Sequence, residues 1–93
     1  MIVGVGEIDI HIPGIRSLKE KRRIINEIKN RIKNRFNVSI SEVDYHDLWQ
    51  RALLGIAAVA TDGKGVDVVM RSVLSEIERD MRIQVLDYRF EVR

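Results

Sequence analysis

An α+β fold is what this sequence predicts: a four-stranded antiparallel sheet with two helices on one face. Three observations carry the prediction. Apolar and polar residues alternate in stretches near both ends of the chain, the period of half-buried strands. Two longer stretches repeat their apolar residues every three or four positions, the period of amphipathic helices. The patterns follow one another as β-α-β-β-α-β. Right-handed crossovers close that order into the ferredoxin-like split fold, with strands one and three at the centre.

Over residues 2–12, Ile2, Ile8, Ile10 and Ile12 share one face of a strand, and Glu7, Asp9 and His11 share the other. Gly4 and Gly6 fall on the apolar face, which points to close approach by a helix. Pro13-Gly14 ends the strand. Ser17-Leu18-Lys19-Glu20 has the form of a capping box, with Ser17 at the N-cap and Glu20 three residues on. Behind it, Leu18, Ile24, Ile25, Ile28, Ile32 and Phe36 fall within one arc of about 120° on a helical wheel. A helix is therefore predicted over 17–35, with Asn37 as its terminator. Val38 and Ile40, then Val43 and Tyr45, predict a second strand whose phase shifts near Glu42, the mark of a bulge. Residues 46–51 form a connection, and the apolar run 52–60 predicts a central strand. Thr61–Gly65 is turn chemistry. Val66, Val69, Met70, Val73, Leu74, Ile77 and Met81 make the stripe of a second helix. A fourth strand is predicted over 83–92, with Tyr88 and Phe90 expected in the core.

The 93 residues are 45% apolar and 32% charged, a balance that fits one folded domain over 1–93. No apolar run approaches the ~18 residues of a membrane span. Glu7 and Asp9 interrupt the N-terminal stretch, which lacks a basic region, so no signal peptide is read there and a cytoplasmic location is expected. The chain has no cysteine, which removes disulfides, thiolate metal ligands and thiol nucleophiles together.

The formal net charge of +2 conceals an asymmetry. Residues 16–35 hold nine basic side chains and two acidic ones, a net +7, against seven basic and twelve acidic in the remainder, a net −5. Such a split predicts a polyanionic partner for one side of the molecule. On the first helix, the side opposite the apolar arc carries Lys19, Arg22, Arg23, Asn26, Lys29, Asn30, Lys33, Asn34 and Asn37 and no carboxylate. Like charges at i,i+4, as in Lys19/Arg23 and Lys29/Lys33, repel by ~0.2–0.5 kcal/mol. Lys19, Lys21 and Arg22 also stand in the first turns, where the helix dipole disfavours cations by ~0.3–1 kcal/mol each. Bound phosphates offset both terms, and asparagines add hydrogen bonds to sugars and base edges. Arg16, Lys19, Lys21, Arg22, Arg23, Asn26, Lys29, Asn30 and Lys33 are accordingly the candidate RNA-binding residues. The competing structural reading is a solvated helix face whose long side chains lie along apolar surface.

The topology brings the connection between strands two and three to the edge where the first helix begins. That placement predicts a sheet-edge cluster of His11, Lys21, Asp47, Trp49, Gln50 and Arg51. It admits two readings: an Asp47–Lys21 ion pair with Trp49 as a lid, or a pocket in which Trp49 stacks on a base and Lys21 pairs a phosphate. His11 and His46 with Asp44 and Asp47 match no metal-ligand spacing, so no metal is expected. Gly4-Val5-Gly6 and Gly63-Lys64-Gly65 are too short for phosphate loops. Ser17 is a cap with no His or Asp at a spacing that activates a nucleophile. Ile12–Arg16 is a faint match to an acylphosphatase loop. An RNA-recognition motif needs exposed aromatics on strands one and three, and neither strand has one. The third strand is apolar on both sides, and Val3 and Val5 point away from the helices, so a homodimer through the open sheet face is expected.

Ser17-Leu18-Lys19-Glu20-Lys21-Arg22, Phe36-Asn37-Val38-Ser39, Glu42-Val43, Asp47-Leu48-Trp49-Gln50 and Gly55 come in the order of the YlxP-like family, which nearly the whole chain resembles. These are small bacterial proteins of unassigned function. The resemblance implies a ferredoxin-like fold, a cytoplasmic bacterial setting and, since the family's genes lie beside translation and ribosome-maturation genes, a ribosome-associated role. It implies no activity and no catalytic residue. The function expected is non-enzymatic RNA binding, to ribosomal RNA, through the first helix and without cofactor. The alternative is a dimeric ligand-sensing or protein-interaction module that docks an acidic partner.

Overall fold

The alternating N-terminal stretch forms β1 (Ile2–His11), and the capped, isoleucine-striped stretch forms α1 (Leu18–Arg35). β2 (Ser39–Asp44), β3 (Arg51–Ala60), α2 (Gly63–Glu78) and β4 (Gln84–Val92) follow. The computed structural model describes all residues, Met1–Arg93. Every strand pair is antiparallel, and the order across the sheet is β2-β3-β1-β4. The element order and the central placement of β1 and β3 are those predicted. The phase shift in β2 is a register shift between Glu42 and Asp44.

One face of the sheet carries the helices. Ile8, Ile10 and Ile12 of β1 and Ala52, Leu54, Ile56 and Ala58 of β3 meet Ile24, Ile25, Ile28 and Ile32 of α1 and Val66, Met70, Val73 and Ile77 of α2. Each fully buried isoleucine or leucine is worth roughly 1.5–3 kcal/mol relative to exposure. α1 lies over β2, and α2 lies over β1, β3 and β4. The two glycines of β1 admit this packing. A Cβ at Gly4 would collide with Val66, and one at Gly6 would stand 2.8 Å from the ring of Phe90 and 3.3 Å from Met70 Sδ.

Two residues expected in the core are outside it. α2 stops at Glu78 and the chain turns at Asp80, so Met81 leaves the stripe and is 98% exposed. Tyr88 is 49% exposed, because β4 is an edge strand and Phe90, opposite Gly6, takes the space beneath α2. The open face is mixed rather than continuously apolar. Val3, Val5, Ala57 and Val59 are apolar at one end, whereas toward the other end Arg51–Asp9 and Arg89–Glu7 ion pairs stand beside Leu53 and exposed Val43.

Gly4→Ala is expected to destabilise the fold by about 1–3 kcal/mol through overpacking against Val66, read as a lower urea midpoint at unchanged slope. A midpoint equal to wild type would disprove the close approach.

Candidate nucleic-acid interface

α1 starts where the capping pattern places it. Ser17 Oγ accepts the Glu20 amide at 3.1 Å. The return arm reaches one residue further back than in a standard box: Glu20 Oε2 accepts the Arg16 amide at 3.4 Å. At 1.5 Å per residue the helix is roughly 27 Å long, and its nine surrounding cations divide into two groups.

Lys21 belongs to neither the surface nor a ligand site, which corrects its assignment as a phosphate contact. Its side chain is 1% exposed. Nζ donates to Tyr45 O at 2.7 Å and Leu48 O at 2.6 Å and lies 2.8 Å from Glu42 Oε2. The two carbonyls take two of the three ammonium protons, and the Glu42 carboxylate balances the charge as an ion pair. The reason is positional. Lys21 falls roughly 300° from Leu18 on the helical wheel, inside the apolar arc, and so points at the sheet. Its carboxylate partner is Glu42, which shares the helix-facing side of β2 with buried Ile40, and not Asp47, which is exposed. Tyr45 adopts φ 64°, a left-handed conformation that disfavours side-chain-bearing residues by ~1–2 kcal/mol. Asp44 Oδ1 accepts its amide at 2.7 Å, and the Lys21 bond holds its carbonyl.

The β2–β3 connection is thereby fastened to the start of α1, as the topology predicted. Gln50 Nε2 donates to Ile15 O at 3.2 Å, and Gln50 O accepts the Ile12 amide at 2.8 Å. Trp49 stands between two tethered neighbours with half its surface exposed, beside exposed Leu48. The remaining members of the expected cluster do not converge on it. His11 Nδ1 lies 3.3 Å from Gln84 Oε1. Arg51 is clamped by Asp9 at 3.1 and 2.7 Å, with its guanidinium 4.7 Å above the Tyr45 ring. His46 Nε2 lies 3.0 Å from Glu42 O, so the two histidines have separate surroundings.

Three further cations of α1 are committed to carboxylates. Arg31 lies 3.4 Å from Glu76 and 3.3 Å from Asp80, and Arg35 lies 2.9 Å from Glu76. Arg23, 3.6 Å from Glu27, joins the same seam through Arg82, which contacts Glu27 at 2.9 Å and Asp80 at 2.8 Å. This α1–α2 network was not foreseen. Its trace in the sequence is a pair of i,i+4 doublets, Arg31/Arg35 and Glu76/Asp80, each flanking an apolar stripe. Hydrogen bonds from Arg82, and beyond them Arg31, hold the Asp80 carboxyl at about 2, below its ordinary 3.8.

Arg16, Lys19, Arg22, Lys29 and Lys33 are left. None has a carboxylate oxygen within 4.0 Å of its charged side-chain group, and all but the half-buried Lys29 are exposed. With exposed Asn26, Lys19, Arg22, Lys29 and Lys33 recur at steps of three, four, three and four, forming a single stripe about 21 Å long. Exposed Asn30 flanks it. Trp49 lies in the connection tethered to the start of the same helix.

A family model described as "Protein of unknown function (DUF503)" matches residues 3–90. The chain belongs to the DUF503 family. It is 42% identical over 77 residues to the uncharacterized protein YlxP of Bacillus subtilis (strain 168), across 83% of this chain and 84% of that protein. Two solved structures share the fold at 17% identity. One is a C-terminal segment of the alpha subunit of aIF2 from Pyrococcus abyssi, with a TM-score of 0.55 over 90% of this chain; the chain spans 48% of that segment's length. The other is a de novo designed protein with a ferredoxin fold, LFR1 1, with a TM-score of 0.53 over all of this chain and 84% of the other. No helix of this DUF503 chain is long and apolar enough to cross a membrane.

Lys21→Met is expected to strand the Glu42 carboxylate and two carbonyls and to destabilise the fold by about 3–5 kcal/mol, measured by urea unfolding on Trp49 fluorescence. Adding Glu42→Gln is expected to recover part of that loss; a single variant as stable as wild type would exclude the anchor. Asp80 has a folded-state pKa below its ordinary value, so its contribution is full above about pH 4 and vanishes as pH falls toward about 2. Asp80→Asn is expected to be less stable than wild type at neutral pH, with the gap closing over that acid window. A gap that stays constant from pH 7 to pH 2 would disprove the linkage.

Proposed function

We propose that this DUF503 protein binds RNA through the stripe of Lys19, Arg22, Asn26, Lys29 and Lys33, with Arg16 extending it and Trp49 stacking on an unpaired base at its end. Binding, not catalysis, is its role, and the cytoplasm is where it acts. The observation that carries the reading is the sorting of charge on α1. Lys21, Arg23, Arg31 and Arg35 are matched to carboxylates, and the cations left unmatched fall in one line. A helix that was merely solvated would have its matched and unmatched cations mixed, because i,i+4 repulsion is relieved by interspersed carboxylates. A line of point charges and amides spaced over ~21 Å suits a phosphate backbone, whose neutralisation releases counterions. Half-exposed Trp49 offers the face on which a base stacks, a contact worth ~1–3 kcal/mol. Ribosomal RNA is the first RNA to test, on the family resemblance.

The experiment is fluorescence anisotropy with a labelled single-stranded RNA and a blunt RNA duplex at several salt concentrations. Replacing Lys19, Arg22, Lys29 and Lys33 together by alanine is expected to weaken binding and to make the log–log salt slope shallower by about 3, at ~0.7–0.9 per phosphate contact. Trp49→Ala is expected to weaken single-strand binding by about 1–3 kcal/mol while leaving the slope and the duplex affinity unchanged. A quadruple variant that keeps the wild-type slope would overturn the proposal. An absence of RNA binding at low salt would turn attention to an acidic protein partner.

A further inference from the structure

The two edges of the sheet are unlike. β2 is six residues long, is broken by its bulge, and leads into the tethered connection. β4 is nine residues long, with no proline and no lysine. Its only irregularity lies near Leu86, where the register against β1 shifts. From Asp87 onward it is a regular strand whose outer edge is unpaired, and such an edge is a template for another chain.

Arg93 exchanges both backbone hydrogen bonds with Val3, at 3.0 and 2.6 Å. By antiparallel alternation, Glu91 and Arg89 also turn their backbone groups toward β1, and Tyr88, Phe90 and Val92 turn theirs outward. The side chains alternate too. Asp87, Arg89, Glu91 and Arg93 lie on the open face, where Arg89 meets Glu7 at 2.8 Å. Tyr88, Phe90 and Val92 lie on the helix side. Phe90 reaches the core, whereas Tyr88 and Val92 are 49% and 56% exposed.

We propose that two copies of the chain pair antiparallel along the free edges of β4 about a two-fold axis at Phe90, joining two four-stranded sheets into one. The occupant follows from the sign pattern of the edge, which reads −, +, −, + at Asp87, Arg89, Glu91 and Arg93. Centred on Phe90, this pattern complements itself: Arg89 stands opposite the partner's Glu91, and Asp87 opposite the partner's Arg93. Tyr88 meets the partner's Val92 on the helix side, which covers the apolar surface left open there. Shifting the axis to Arg89 or Glu91 sets like charges opposite, which is destabilising, and an axis at Tyr88 keeps only the Asp87–Arg89 match. Slips of one residue misalign the outward backbone groups. The contact is that of a strand edge rather than of the open sheet face. A pairing this narrow belongs among small interfaces, so the dimer is a concentration-dependent equilibrium.

Sedimentation equilibrium from ten to several hundred micromolar tests it. The mass is expected to rise from that of the 10.8-kDa chain toward twice that value. Arg89→Glu alone and Glu91→Arg alone each set like charges opposite in this register, and each is expected to weaken association by at least ~10-fold. An equimolar mixture of the two restores opposite charges in the mixed pair, so it is expected to recover dimer at wild-type concentrations. Circular dichroism melts near wild type establish that both variants fold. A wild-type mass that stays monomeric throughout, a Glu91→Arg protein that dimerises like wild type, or a mixture that does not recover would each overturn the proposal.

Discussion

The ammonium of Lys21 fixes how the first helix sits on the sheet and where the β2–β3 connection goes. It is enclosed by Tyr45 O, Leu48 O and Glu42 Oε2 at 2.6–2.8 Å. A buried charge persists only when its partners replace the water it has lost. Here each partner comes from a different place: the helix-facing side of β2, a left-handed residue at the strand's end, and the loop beyond. Removing any one of the three leaves the others without a geometry. The constraint therefore reaches outward. It orders a connection that has little apolar surface of its own, and through Leu48 it sets the backbone from which Trp49 projects.

Charge on α1 is sorted by direction. The cation aimed at the sheet has Glu42. Those aimed at α2 have Glu76 and Asp80, and Glu27 bridges Arg23 to Arg82. What remains is aimed at solvent. Two chemistries explain the helix's run of basic residues: inner and seam cations serve the fold, and only the outer stripe is free for a partner. The large formal charge of the segment overstates the binding surface, because carboxylates distant in sequence neutralise part of it. The pattern of what is left is more informative than the total.

The element order and the sheet were legible because period and punctuation agreed at each step. Ser17 capped the helix it was expected to cap, and the phase break at Glu42 was a bulge. Lys21 was legible as well, since the wheel puts it inside the apolar arc. Its chemistry drew attention to the surface, but its angle placed it within. Glu42, one alternation from Ile40, could have been named as its partner by the same argument. Two other features lay beyond reach. The seam network depends on the helix–helix register, which brings Arg31 to Asp80 across 49 residues and which no local pattern encodes. The exposure of Tyr88 depends on how far α2 extends across the edge strand. Alternation tells which face a residue takes but not whether anything covers that face.

The N-terminal half of the stripe carries the strongest argument that its charge faces a partner. At the C-terminal end, Lys33 lies near the helix's negative pole and is favoured there without any ligand. Lys19 and Arg22 lie near the positive pole, where the dipole opposes them and no carboxylate relieves them. Fold stability gives no reason for cations at those two positions, because the cap is already provided by Ser17 and Glu20. An anion arriving there would be favoured by both side chains and by the helix pole, so the local disadvantage of the free protein would become affinity in the proposed complex. The same face stays clear if copies pair along β4. α2 lies toward that edge and α1 toward the other, and a two-fold normal to the sheet keeps both stripes on one side. The joined sheets would then present two separated cationic lines to one long polyanion, and linked occupancy of the two would raise avidity without any new contact.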